Sequence, residues 1–346
     1  MTGPSLQLDY VSSAELAAQS GAWWNHVLGI VGFERPPPID LIGVPVTASM
    51  TPSLGAADNL CEVWRVAGDS GLTLSTGTLR HGRVQFRYCD DLMFGSVTID
   101  ERGFDGNSAE ALLHATRTAY QDVFAALEET QHRHLIRIWN YLPEINGDAE
   151  GDERYRHFNA ARQTAFRESG RSTVGTVPAA CALGSPAGSP ISIYFLASRR
   201  PPTMLENPRQ ISAYHYPPKF GVHSPVFSRA CVLSESGGTN FFVSGTASIV
   251  GYETIHHGDV TAQTRETLVN INALLDEANR VMGSDHYSMN DLKFKVYVRR
   301  VSDLAAIESA LSSSLSESTS IVYLQADVCR EDLLVEIEAT GESRPV

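Results

Sequence analysis

The strongest constraint on this chain is that it repeats itself. The segments "ATRTAYQDVFAALEET" (115–130) and "AQTRETLVNINALLDEANRVM" (262–282) read as one helix written twice. Thr116-Arg117 aligns with Thr264-Arg265, and Leu127-Glu128-Glu129 with Leu275-Asp276-Glu277, so the offset is 264 − 116 = 148 residues. Tyr120, Val123 and Leu127 form an apolar stripe in the first copy. Leu268, Ile271, Leu274 and Leu275 form it in the second, at the spacing of an amphipathic helix. Asn107 with Glu110 three residues on predicts a cap at the start of the first copy. A strand-like segment precedes each helix, "GRVQFRYCDDLMFGSVTI" and "TNFFVSGTASIVGYETI". Another follows, "HLIRIWNYLP" and "LKFKVYVRRV", then a second helix, "RYRHFNAARQTAF" and "SDLAAIESALSSSL", then two closing strands. Two units of this plan make an α+β chain. The Pro-rich stretch "SRRPPTMLENPRQISAYHYPPKF" joins them. The expected organisation is an N-terminal extension over 1–40, a first unit over 41–205, a linker over 206–222 and a second unit over 223–346.

The bulk numbers fit two such units: 346 residues, 42% hydrophobic and 19% charged. A net charge of −13 argues against nucleic-acid binding. It also means that an anionic substrate needs a local cationic pocket. The cysteines number five, an odd count, and no CxxC occurs, which suggests neither a disulfide framework nor a zinc site. Reduced thiols in the cytoplasm fit this usage. The first residues lack the charged and apolar regions of a signal peptide, and no apolar run approaches a membrane span. His256-His257 has no third ligand in view, so no metal is expected. No Gly-rich dinucleotide fingerprint stands out, so no cofactor is expected either.

The last strand-like segment, "LLVEIEAT" (333–340), poses a question of its own. Val335-Glu336-Ile337-Glu338 alternates, so both carboxylates share one face of a strand. On these residues alone a solvated edge strand is the simpler reading. The repeat weighs against it. In the first unit "ISIYFLAS" puts Tyr194 and Leu196 where the second has Glu336 and Glu338. The acidic pair belongs to one copy only, as a pocket carboxylate would.

The second unit resembles the RidA/YjgF family through "SPVFSRACV", "FFVSGTAS", "GDVTAQTRETLVNINALL" and "LLVEIEAT". That likeness implies two RidA/YjgF-like domains, each a mixed sheet covered by two helices, present as a monomer or a RidA-like trimer. The imine deaminases of that family carry an arginine on the strand before the last, and "STSIVYLQADV" has none, which speaks against simple imine deamination. The whole two-unit chain resembles the chorismatases. The strings that carry this are "RIWNYLPEIN", "ERYRHFNAARQTAF", "SAYHYPPKFGVHSPVFSRA", "VSGTASIVGYETIHHGD" and "LQADVCREDLLVEIEA". The resemblance implies an enzyme that removes the enolpyruvyl group of chorismate as pyruvate, from a pocket between the units. The product is 3-hydroxybenzoate in one subgroup and a dihydroxycyclohexadienoate, formed by hydrolysis, in another. A non-catalytic protein that binds a small molecule in the same pocket is the remaining alternative.

Protonating an enol ether needs an acid that keeps its proton near neutral pH. Glu336 in an apolar crevice, with Glu338 beside it, meets that need. A substrate with two carboxylates calls for arginine forks, and Arg154, Arg162, Arg209 and Arg229 are the candidates. Tyr155 and Tyr214 offer hydroxyls. Ser244-Gly245-Thr246 closes a strand, its glycine serving either close approach of a ring or a β-bulge. Cys329 precedes Arg330, whose charge would lower the thiol pKa. Gly245 and Cys329 match the 3-hydroxybenzoate-forming subgroup, whose diol-forming counterpart carries alanine and an aliphatic residue there.

Overall fold

Parallel neighbours in a sheet need a crossover, and each unit supplies one through its second helix. In the first unit His134–Pro143 pairs in parallel with Ala179–Ser185, across the helix Arg154–Glu168. In the second, Leu292–Val298 pairs in parallel with Ile321–Gln325, across the helix Leu304–Ser312. The computed structural model describes residues 5–39, 43–55, 60–67, 73–283 and 286–343. Each unit builds a seven-stranded mixed sheet. Its two helices pack on one face over a core of their own. The long helix Ser108–Thr130 begins on the expected capping box between Asn107 and Glu110. Its counterpart Val260–Met282 is capped by Asp259 and stops at Gly283, whose φ of 76° suits a left-handed cap. Among the described residues no helix is long and apolar enough to cross a membrane.

The segment read as a single strand before the first helix is a hairpin, Val84–Tyr88 and Leu92–Ile99, turning at Cys89–Asp91. The N-terminal region is more than an extension. Ser5–Ser12, Val27–Gly32 and Val46–Ala48 form a four-stranded sheet with Leu60–Ala67, which lies in the span assigned to the first unit.

This small sheet closes a third core. Leu8, Val31 and Trp64 from it meet Trp139, Tyr141 and Tyr194 from the first unit and Phe242 and Tyr297 from the second. The helix-free faces of both large sheets therefore look inward at a third wall. The large sheets also share edges. Asp327–Val328 of the second unit pairs with Leu183 and Gly184 of the first, and Ser53–Leu54 extends the second unit's sheet. The strand Val335–Ser343 lies in the middle of its sheet, between Gly238–Thr246 and Leu292–Val298. This overturns the edge-strand reading: both Glu336 and Glu338 are buried.

The closeness of the third wall is testable at Gly29, where an added Cβ would lie 2.1 Å from the Phe94 ring of the first unit. Gly29→Ala forces a buried ring or strand to move, at a cost of about 1–3 kcal/mol. Urea denaturation is expected to show the loss, and an unchanged midpoint would contradict the packing described.

Candidate active site

Three strand features meet at the seam between the units. Cys329 follows the short strand that the second unit lends to the first unit's sheet. Gly245 sits in a β-bulge, where the ladder to Val335–Ser343 shifts register between Val243 and Thr246. Glu336 stands on that last strand, opposite Tyr297 on its other neighbour. Together with Tyr155 and Phe227 these residues line one crevice. Its outer part is walled by Tyr216, Phe220, Arg229 and Arg330, its inner end by Arg162 and Cys181. Pro225, Ala247, Ile249 and Leu333 make much of the remaining wall apolar.

The paired glutamates have opposite environments. Burial first, and the negative charge of Glu338 second, push the Glu336 carboxyl up to about 8. Burial also opposes ionisation of Glu338, but Lys295 and Arg137 outweigh it and hold that carboxyl below its ordinary range. Arg137 donates from Nη2 to Glu338 Oε2 at 2.5 Å, and Trp139 donates from Nε1 to Oε1 at 2.8 Å. At pH 7 Glu336 holds a proton and Glu338 a charge. Glu338 is thus ionised behind the crevice rather than part of its lining.

The expected lowering of the Cys329 thiol pKa by Arg330 is corrected. Burial, and then the proximity of Glu336, push the Cys329 thiol up to about 12. Arg330 only partly offsets this. Its guanidinium is stacked 4.0 Å over the Phe220 ring and donates to the Tyr252 carbonyl. Cys329 enters the crevice as a neutral SH.

Arg162, Arg229 and Arg330 all reach the crevice, and each has one buried N–H without a protein partner. Arg229 is anchored by the Ile211 carbonyl and the Tyr216 hydroxyl, and Arg162 by Asn159. Arg209 is not brought in, because Glu266 at 2.6 Å and Asn270 engage its fork. Arg154 grips Glu101 and the Pro143 carbonyl. Tyr214 packs on the first unit's core and against His215; two residues on, Tyr216 takes the place expected of it. The Ser244 hydroxyl donates to the Ser228 carbonyl and accepts from the Ala180 N–H of the first unit. Thr246 donates to the Ser244 carbonyl. Both hold the bulge; neither lines the crevice. His256 faces Glu266 and His257 faces Asp332.

A Cβ on residue 245 would come within 1.9 Å of Glu336 Oε1 and 3.0 Å of the Cys181 Cβ. The room that glycine leaves is therefore filled by the acid itself, and the two readings of "SGT" merge: the bulge carries the glycine to Glu336. Sequence reasoning missed Tyr216, Phe220, Phe227 and Cys181, which show no local signal. It also missed Arg137 and Lys295. Their signal was a cation on a mainly apolar strand, at matching ladder positions: Arg137 opposite Leu196, Lys295 opposite Glu338.

A protonated carboxyl in an apolar crevice, with arginines around it, can serve as an acid–base site for a small anionic molecule at the seam of two repeated α+β units. The model for the N-terminal part of FkbO/Hyg5-like chorismatases matches residues 62–197. A 3-hydroxybenzoate synthase from Streptomyces hygroscopicus is 42% identical over 233 residues, which cover 65% of this chain and 68% of that protein. A chorismatase from Streptomyces rapamycinicus is 34% identical over 310 residues, 86% of each chain. A chorismatase crystal structure superposes with a TM-score of 0.83 at 31% identity, covering 98% of both chains. The chain belongs to the chorismatase family.

An acid with its pKa near 8 works only while protonated, so turnover is expected to fall as pH rises through about 8. Glu336→Gln keeps the shape and removes the proton. It should lower turnover by roughly 100- to 10,000-fold with binding retained. A folded Gln variant with near wild-type turnover would remove Glu336 from the chemistry.

Proposed function

We propose that this chain converts chorismate to 3-hydroxybenzoate and pyruvate. The observation that carries this reading is the protonated Glu336 at the seam of the units, among arginines with unpartnered donors. The enol ether of chorismate is a carbon base. Glu336 protonates its methylene, and the oxocarbenium ion so formed weakens the C3–O bond. The 4-hydroxyl oxygen displaces pyruvate at C3 without water being added, and it keeps its proton, which stays on it when the epoxide opens to the 3-hydroxyl. The resulting epoxide opens at C4–O, the C3 proton leaves, and the ring becomes aromatic. Glu336, now a carboxylate with an unusually high proton affinity, is the base at hand for that proton and recovers its starting state. Cys329, as a neutral SH, donates towards the oxygen as the epoxide opens. All atoms of chorismate are found in the two products. The largely apolar wall keeps water from the cation, which separates this outcome from hydrolysis to the diol.

Arg229 and Arg330 hold the substrate carboxylates, with Arg162 at the inner end. Replacing Arg229 or Arg330 by Ala in a Glu336→Gln background is expected to weaken chorismate binding by about 1.5–3 kcal/mol, read by calorimetry. Lys should restore only part, since it lacks the fork. Unchanged affinity in both Ala variants would place the clamp elsewhere.

Mass analysis of products, coupled to a pyruvate assay, decides the reaction. Wild type should yield 3-hydroxybenzoate and equimolar pyruvate. Gly245→Ala combined with Cys329→Val should shift output towards the water-added diol. The new methyl occupies the place of Glu336 Oε1, and the displaced carboxylate then reaches the ring proton too late. Diol as the main wild-type product would overturn the assignment, and bound chorismate without pyruvate would leave a binding protein.

A further inference from the structure

Behind the crevice lies a chain of four buried charges drawn from three sheets. Glu62 belongs to the N-terminal sheet, Arg137 to the first unit, and Lys295 and Glu338 to the second. The Lys295 ammonium pairs with Glu62 and stands 2.8 Å from Glu338 Oε1, while Arg137 holds Glu338 Oε2. Lys295 and Arg137 are each only 1% exposed. Trp64 donates to Glu62 Oε1 at 2.6 Å, and the Tyr194 hydroxyl donates to Oε2 at 3.1 Å. Each carboxylate oxygen of the chain thus has a donor. The charges sum to zero, two carboxylates against two cations. Glu336 is the next acid on the same face of the same strand, so ionising it would leave the buried group one charge negative.

We infer that Glu62 and Lys295 are positioning residues for the acid: with Arg137 they hold the charge behind Glu336 at zero, and so set the charge balance against which its buried carboxyl gives up the proton. The inference rests on reading Glu336 as the proton donor. It gives the N-terminal sheet a part in the chemistry, because that sheet supplies Glu62. Of the other titratable groups in the crevice, Glu153 lines its outer part and burial raises its carboxyl, so Glu153→Gln is carried as a control for the readouts below; the remaining ones do not change charge in the relevant range. Tyr155 and Cys181 of the first unit are pushed up first of all by burial. So are Tyr297 and Cys329 of the second. All four stay neutral near pH 8. Arg229 and Arg299, the latter bonded to the Leu333 carbonyl and Asp327, also act on Glu336, and an arginine is not deprotonated in a protein.

The two members of the Glu62–Lys295 pair can therefore be told apart by sign. Glu62→Gln leaves a net positive charge behind the acid and favours its ionised form. The Glu336 midpoint should move to lower pH by at most about one unit, since Glu62 acts on it from beyond Lys295 through the same low-dielectric interior. Lys295→Met leaves a net negative charge and should move it up by a similar amount. The double variant restores the neutral sum and the wild-type midpoint, and Lys295→Arg keeps it. Two readouts are measured on the full chain. One is the alkaline limb of pyruvate release. The other is pH titration of the infrared band of a protonated carboxyl, identified by its loss in Glu336→Gln. The band reports the proton without turnover, so it tests the charge balance even if Glu336→Gln were to stay active and the acid assignment fell. Opposite shifts in the two single variants establish the inference. Unmoved midpoints, or shifts in the same direction, reduce the pair to an ion pair that only joins the sheets. Should one single variant fail to fold, the other decides by the direction of its shift relative to the double variant: a shift of the stated sign supports the inference, and no shift or the opposite sign overturns it.

Discussion

Lys295 is a cation with almost no exposure in the middle of an aromatic core, and the rest of the molecule is arranged around it. It bonds Glu338 on its own sheet, Glu62 on the N-terminal sheet and the Tyr194 hydroxyl on the first unit's sheet. Rings of Phe33, Trp139 and Tyr194 surround it at 5.4 to 5.8 Å. A buried ion of this kind is tolerable only when its geometry is complete, and removing one partner typically costs about 3–5 kcal/mol. The three sheets are therefore held in register by groups that accept no slippage. The crevice at their seam inherits that rigidity.

The same arrangement gives two neighbouring glutamates different states. They are two residues apart on one strand, equally buried, and chemically identical. Glu338 faces Arg137 and Lys295 and is ionised, whereas Glu336 faces an apolar crevice and keeps its proton. The first unit shows what the strand looks like without this task. Tyr194 and Leu196 fill the equivalent places, and Tyr194 lends its hydroxyl to the second unit's charge network. The two sheets share a plan and differ here: one carries the buried pair of glutamates, and the other supports the charge network behind them.

Much of the architecture was legible in the chain. The two long helices could be read because capping and the 3.6-residue stripe are local properties, as at Asn107 and Glu110. The strand with Glu336 and Glu338 could be read because alternation is local too. The N-terminal sheet could not. Ser5–Ser12 finds its partner at Leu60–Ala67, and nothing within either segment states that pairing. The site divided the same way. Glu336, Gly245, Cys329, Tyr155, Arg162 and Arg229 do meet in the crevice, whereas Arg209 and Tyr214 sit close by in sequence and face elsewhere.

By itself the sequence determined the repeated α+β plan, the helices and their caps, and the placing of two carboxylates on one strand face, since each follows from contacts within a few residues. Only the tertiary structure decided that this strand is central, that Glu338 is charged and Glu336 is not, that Cys329 is a thiol rather than a thiolate, and that the glycine at 245 makes room for a carboxyl. Protonation and burial are sums over neighbours from every packed element. Those neighbours, Glu62, Arg137 and Lys295, are separated by up to 276 residues from Glu338 (338 − 62) and come together only when the three sheets close.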